Sequence, residues 1–154
     1  SPVTSRRRTV IPGGGLFSPA PDMLRFCLML MNGGEFDGRR YLKSQTVNEM
    51  VSTQTGDIHT GFTPGQTWGL GCQVTRQPQG VTAMLSPGTF GHGGAYGTHS
   101  WCDPKTRTIY ILMVSRSNFV PHGDGCDLRR DWQQAAADAL RLADRPGVDR
   151  GPVA

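Results

Sequence analysis

The sequence predicts an α+β fold, an antiparallel sheet of three strands with helices packed on it. Three observations carry this. The hydrophobic period is helical at both ends of the chain and changes to two at Trp68. A compact Asp103-Pro104-Lys105-Thr106 turn separates two apolar runs, which makes a hairpin. The resulting order, helix, helix, strand, strand, strand, helix, segregates helices from strands. At 154 residues the chain has the length of one domain with a single core, and no internal repeat or linker divides it.

Residues 1–12 read as an extended lead-in, since the stretch 1–15 is polar, then Pro and Gly rich, and ends in Gly13-Gly14-Gly15. Organised structure is expected over 13–143. Ser18 can cap a first helix over 19–32, with Pro19 at its first position. Leu24, Cys27, Leu28 and Met31 form the apolar stripe, widened by Met23, Phe26 and Leu30. Gly33-Gly34 ends this helix by offering a left-handed cap. Asp37-Gly38 marks a turn, after which Ser44 caps a short second helix facing inward with Val47, Met50 and Val51. Residues 54–66 form a loop. Trp68, Leu70, Cys72 and Val74 then alternate with small or polar residues, as in a strand buried on one face.

A second strand is expected over Ala95–Cys102, entered through Gly91-His92-Gly93-Gly94, and a third over Arg107–Ser115. Ile109–Val114 is continuously apolar, so both faces of that third strand should be covered. The last helix, 127–143, places Leu128, Trp132, Ala135, Ala136 and Ala139 on one stripe. Residues 144–154 read as a flexible tail.

Composition excludes several function classes. An apolar share of 36% with 18% charged residues is that of a globular chain rather than a disordered one. The longest strongly apolar run, Met23–Met31, is interrupted by Arg25 and is far shorter than the roughly 20 residues that span a bilayer, so no membrane is implied. The net charge of +4 is scattered; only Arg6–Arg8 and Arg129–Arg130 form runs, without the interleaved aromatics of a stacking platform, so no nucleic-acid partner is expected. Arg6–Arg8 lack a following apolar segment and are not a secretory signal. A start at Ser1 rather than Met is compatible with a processed chain, an excised domain or a fragment.

Cys27, Cys72, Cys102 and Cys126 form no Cys-x-x-Cys pair and read as reduced, mostly buried thiols, which leaves the compartment open. His59, His99 and His122 have no metal-ligand spacing and read as surface or strand residues. His122–Asp127 lacks the glutamate and spacing of a calcium loop. No metal and no cofactor are expected. Trp68, Trp101 and Trp132 read as core anchors.

Two segments resemble the class C β-lactamase, D-alanyl-D-alanine carboxypeptidase and esterase family of serine hydrolases. One is Gly14-Gly15-Leu16-Phe17-Ser18-Pro19-Ala20-Pro21-Asp22-Met23-Leu24-Arg25-Phe26, similar to the family's glycine turn, serine cap and helix. The other is Gly91-His92-Gly93-Gly94-Ala95-Tyr96-Gly97, followed by Trp101–Pro104 and an apolar strand, which resembles the edge of the family's active-site cleft. The resemblance runs from about Gly13 to Leu142 and implies the C-terminal part of a β-lactamase-like fold. In the family the third conserved element is commonly Lys-Thr-Gly; here it reads His92-Gly93-Gly94. By this similarity His92 lies across the cleft from the serine, Gly93 and Gly94 let the strand approach the substrate, and the Ala95 N–H is one oxyanion donor. Tyr96 either borders the substrate or packs beneath the strand.

The family's other elements do not occur in the sequence. No Ser-x-x-Lys exists: Ser18 leads to Pro21, Ser44 to Val47, Ser86 to Thr89, Ser100 to Asp103 and Ser115 to Asn118. No Tyr-x-Asn exists either, since Tyr41, Tyr96 and Tyr110 lead to Lys43, Thr98 and Leu112. The resemblance therefore implies the C-terminal half of a hydrolase of ester, amide or β-lactam substrates, without catalytic residues of its own and inactive alone. The alternative is a non-catalytic or truncated module. Either way the strand at 107–115 should expose an unpaired edge, inviting the missing N-terminal half or a second copy of the chain.

Overall fold

The computed structural model describes residues 17–58, 63–116 and 127–143. The expected lead-in and tail, together with His59, His122 and Cys126, lie outside the described residues. The first helix, α1, spans Ala20–Met31. Its N-cap is Pro19 rather than the expected Ser18, whose hydroxyl donates to the Pro19 carbonyl and caps nothing. Cys27, Met29 and Leu30 are buried, with Met23 and Met31 half-buried beside them, while Leu24 and Phe26 are exposed. The inward stripe thus lies one position round from the expected one. Gly33 and Gly34 end the helix as predicted, both at positive φ; their amides return to the carbonyls of Leu30 and Met29. A Cβ on Gly34 would sit 2.2 Å from the Leu42 carbonyl oxygen.

The Asp37-Gly38 turn closes a small hairpin, β1 (Glu35–Phe36) on β2 (Arg39–Arg40), with both turn residues at positive φ as its two-residue geometry demands. Helix α2, Ser44–Val51, buries Val47 and half-buries Met50 and Val51 as predicted; its N-cap is Lys43, one residue before Ser44.

The main sheet has five described strands rather than three. The alternating run expected as one strand is a hairpin, β3 (Gln66–Trp68) and β4 (Gln73–Thr75), with Leu70 exposed at its tip. Glycine chemistry explains the miss. The Gly69 N–H donates to the Cys72 carbonyl across the turn, and Gly71 sits at φ +87, where other residues are strained. The glycine-rich entry to the second expected strand is itself a strand, β5 (Phe90–Gly93), and residues 94–98 turn it into β6 (His99–Asp103). β7 is Thr108–Leu112, inside the expected third strand. The antiparallel order is β3-β4-β5-β6-β7.

Register assigns the two faces of the sheet. Val74, Phe90, Cys102 and Ile109 are successive partners across β4–β7 and pack with Cys27, Leu30 and Val47 from the first two helices. Trp101 and Tyr110, one residue along, meet Leu85, Trp132 and Ala136 on the opposite side. Fully burying a side chain such as Phe90 contributes about 1.5–3 kcal/mol, and alternation along β6 directs such burial to both faces. The β6–β7 turn is held by Asp103, whose buried carboxylate accepts the amides of Ser86, Lys105 and Thr106 at 3.0, 3.0 and 3.2 Å.

Helix α3, Asp127–Ala143, has the predicted bounds but a different inner face. Arg129, Gln133 and Ala137 are buried, Trp132 and Ala136 half-buried, and Ala135 and Ala139 exposed. The guanidinium of Arg129 lies 4.0 Å from the centre of the Trp101 ring and donates through Nε to Gln133 Oε1 at 3.3 Å. A polar and aromatic layer, not an alanine stripe, therefore joins this helix to the sheet. β7 is the terminal strand of the described sheet. Along it runs an apolar groove of about 640 Å³ lined by Leu24 from α1, Ile109 and Ile111 from β7, and Trp132, Ala136 and Leu140 from α3.

Candidate active-site wall

The segment singled out by its glycines and histidine lies where β4 stops. Gln73, the first residue of β4, pairs with Gly91, so His92 is one residue past the last β4–β5 pair. On its other side it pairs with Ser100 of β6. His92 is exposed, and its Nδ1 lies 2.6 Å from the carbonyl oxygen of Gly93. A carbonyl can only accept, so in this contact Nδ1 is the donor. The imidazole meets the half-buried indole of Trp68 edge-on, with centroids 5.1 Å apart and planes at 62°. Trp68, expected as a core anchor, thus borders this segment instead.

Gly93 ends β5, and Gly94–Thr98 form the hairpin turn: the Gly94 amide donates to Thr98 at 2.6 Å and the Gly97 amide to Gly94 at 3.0 Å. Ala95 therefore leads the turn rather than beginning a strand, and it is exposed. Tyr96 is 62% exposed, which places its ring outside the core rather than beneath the strand. Its carbonyl accepts the Arg116 amide at 3.0 Å. All five predicted residues share one strand end and turn, with His92, Ala95 and Tyr96 exposed and Gly93 and Gly94 half-buried.

Two features of this segment are not legible in the sequence. Gly91 is where bare backbone is most needed: a Cβ there would fall 2.1 Å from the Ser100 carbonyl oxygen, whereas at Gly94 the nearest atom is 3.2 Å away. The second is the contact with Trp68, which follows from the β3–β4 hairpin that the alternation concealed.

His99 is buried at 4% exposure, its ring edge-on to Trp132 and its Nδ1 3.1 Å from the Gly97 carbonyl. Burial, and next the Arg129 charge, push its pKa down to about 4, so it is neutral near pH 7. Cys27, Cys72 and Cys102 are free thiols. Hydrogen bonding to Cys27 and burial both push the Cys102 thiol up; burial does the same to Cys72. Among the described residues no group of three or more His, Cys, Asp or Glu side chains could hold a metal ion, and no helix is long and apolar enough to cross a membrane. The apolar groove along β7 contains none of the wall residues.

The chain is similar to several known proteins. A family model described as Beta-lactamase matches residues 1–136. An uncharacterized protein of Mycobacterium tuberculosis (strain CDC 1551 / Oshkosh) is 34% identical over 112 residues, covering 66% of this chain and 28% of that protein. A putative D-alanyl-D-alanine carboxypeptidase of Escherichia coli (strain K12) is 25% identical over 129 residues, covering 84% of this chain and 28% of the relative. A solved structure, a putative 6-aminohexanoate-dimer hydrolase from Bacillus anthracis, superposes with a TM-score of 0.56 at 22% identity, over 82% of this chain and 30% of that one. At that identity the superposition speaks for the fold. The chain spans less than a third of the length of these relatives.

Proposed function

From the premise that this chain belongs to the beta-lactamase family of serine hydrolases, we propose that it forms one wall of the catalytic cleft of a longer hydrolase that works through an acyl-enzyme. The supporting observation is the end of β5 beyond β4, where, among the described residues, His92, Gly93, Gly94 and Ala95 face no neighbouring strand on the β4 side. In that reading the nucleophilic serine and its bases come from residues outside this sequence. The serine oxygen bonds to the substrate carbonyl carbon, the leaving group departs with a proton, and water later releases the acyl group. The Ala95 amide receives the oxyanion charge that develops in the transition state; such a donor is typically worth about 10²–10³ in turnover. His92 Nε2 accepts from the substrate or from a hydroxyl across the cleft. Tyr96, exposed at the turn, borders the substrate. Alone, the chain catalyses nothing by this mechanism.

Histidine in place of lysine, and Gly93 in place of a hydroxyl residue, remove a permanent cation and a donor suited to the carboxylate of a β-lactam or peptide. Esters or simple amides are therefore the favoured substrates. Assay of a full-length protein containing these residues with p-nitrophenyl butyrate and nitrocefin tests this: the ester should turn over faster, and His92→Ala should slow it. Faster nitrocefin hydrolysis would sink the substrate preference, and an unaffected His92→Ala variant would sink the cleft reading.

A second reading, a non-catalytic module that associates through its open edge, is favoured by the apolar groove beside β7. We assign that groove to the complementary N-terminal half, because the matched part is 28% of the relatives and the remaining 72% of their length lies outside it. Sedimentation of the 154-residue chain with and without the complementary half should show a 1:1 complex. Homodimers that the half does not displace would point to self-association, and a strictly monomeric, unresponsive species would exclude both.

A further inference from the structure

We infer that Trp68 is a positioning residue for His92, holding the imidazole in the orientation that presents Nε2 to the cleft. The inference rests on the cleft reading of His92 given above. His92 is an exposed side chain at a strand end, where rotamers are otherwise free. Its Nδ1 contact to the Gly93 carbonyl anchors one ring nitrogen, but one hydrogen bond to the adjoining residue leaves the ring able to swing about it. The edge-on contact with Trp68 at 5.1 Å supplies the second point of attachment.

Trp68 is itself built to hold still. Its amide donates to Thr55 Oγ1 at 3.1 Å, and its carbonyl accepts the Gln54 amide at 2.7 Å. The next residue, Gly69, lies so close to the end of α2 that a Cβ would fall 2.1 Å from the Met50 carbonyl oxygen. The following amide, of Leu70, donates to that same carbonyl at 3.0 Å. The indole is therefore referenced to α2 and the loop after it, and through the ring contact so is the imidazole. This gives the β3–β4 hairpin a task at the cleft that neither strand order nor core packing requires.

The test has a structural and a kinetic arm. In NMR spectra of the 154-residue chain, His92 ring protons should show cross-relaxation to the Trp68 indole and a ring-current displacement. Trp68→Leu should abolish the displacement and Trp68→Phe retain part of it, with the amide resonances of β6 and α3 unchanged. Absence of the cross-relaxation in the unsubstituted chain overturns the inference without any variant having to fold. In the full-length hydrolase, Trp68→Leu should lower kcat on p-nitrophenyl butyrate by about 3- to 10-fold, the range of an aromatic pair, at constant KM, and Trp68→Phe should restore most of it. In a His92→Ala background Trp68→Leu should cost nothing further. Equal losses in both backgrounds overturn the positioning role, whereas a His92→Ala variant with full activity overturns the cleft reading and leaves the structural arm standing.

Discussion

Acidification should release helix α3 from the sheet through His99, and the size of the effect follows from its surroundings. His99 is buried against Trp132 and near Arg129, which together hold its pKa at about 4 against an ordinary value of 6.5. Because the folded value is the lower one, the unfolded chain takes up the proton first. The stability linked to His99 is complete above pH 6.5 and is lost as pH falls from there to 4. That difference amounts to about 3 kcal/mol once both states are protonated, of which about 2 kcal/mol is already lost at pH 5. Carboxylates also titrate near pH 5, so the informative quantity is a difference between two proteins. Urea unfolding at pH 7.5 and pH 5 should show the unsubstituted chain losing about 2 kcal/mol more than His99→Gln, which cannot take up a proton. Parallel losses, within about 0.5 kcal/mol, would refute the claim that a neutral buried imidazole underlies the docking of α3.

Other perturbations follow from close contacts. Gly91→Ala pushes a methyl into the Ser100 carbonyl and should cost about 1–3 kcal/mol, read as a shifted urea midpoint with faster amide exchange in β5 and β6. Phe90→Ala, at the centre of the α1 side of the sheet, should cost about 3–5 kcal/mol in the same assay. Cys102, whose thiol pKa is raised by its hydrogen bond with Cys27 and by burial, and Cys72, raised by burial, should resist iodoacetamide at pH 7.5 until urea is added, as checked by intact mass.

Sequence reading recovered the α+β class, the three helices, the Asp37-Gly38 turn and the Asp103 hairpin because each rests on local chemistry that tertiary contacts reinforce. It failed where local and tertiary signals diverge. Trp68–Val74 alternates as a strand does, yet Gly69 and Gly71 were the stronger signal, and their backbone requirements divide the run into two strands. Helix α3 looked like an alanine-faced helix; Arg129 instead turns inward because Trp101 offers a ring face and Gln133 an acceptor, partners invisible along the chain. At the candidate site the glycine cluster was readable. The Trp68 contact was not, since it joins residues 24 positions apart through a hairpin the period had hidden.

The central claim is that these residues form a cleft wall whose nucleophile lies elsewhere in the polypeptide. Fluorophosphonate labelling and peptide mapping of a full-length protein containing residues 1–154 test it most directly. The label should fall on the serine of a Ser-x-x-Lys segment outside these residues. Labelling of any serine between Ser1 and Ala154 would contradict it.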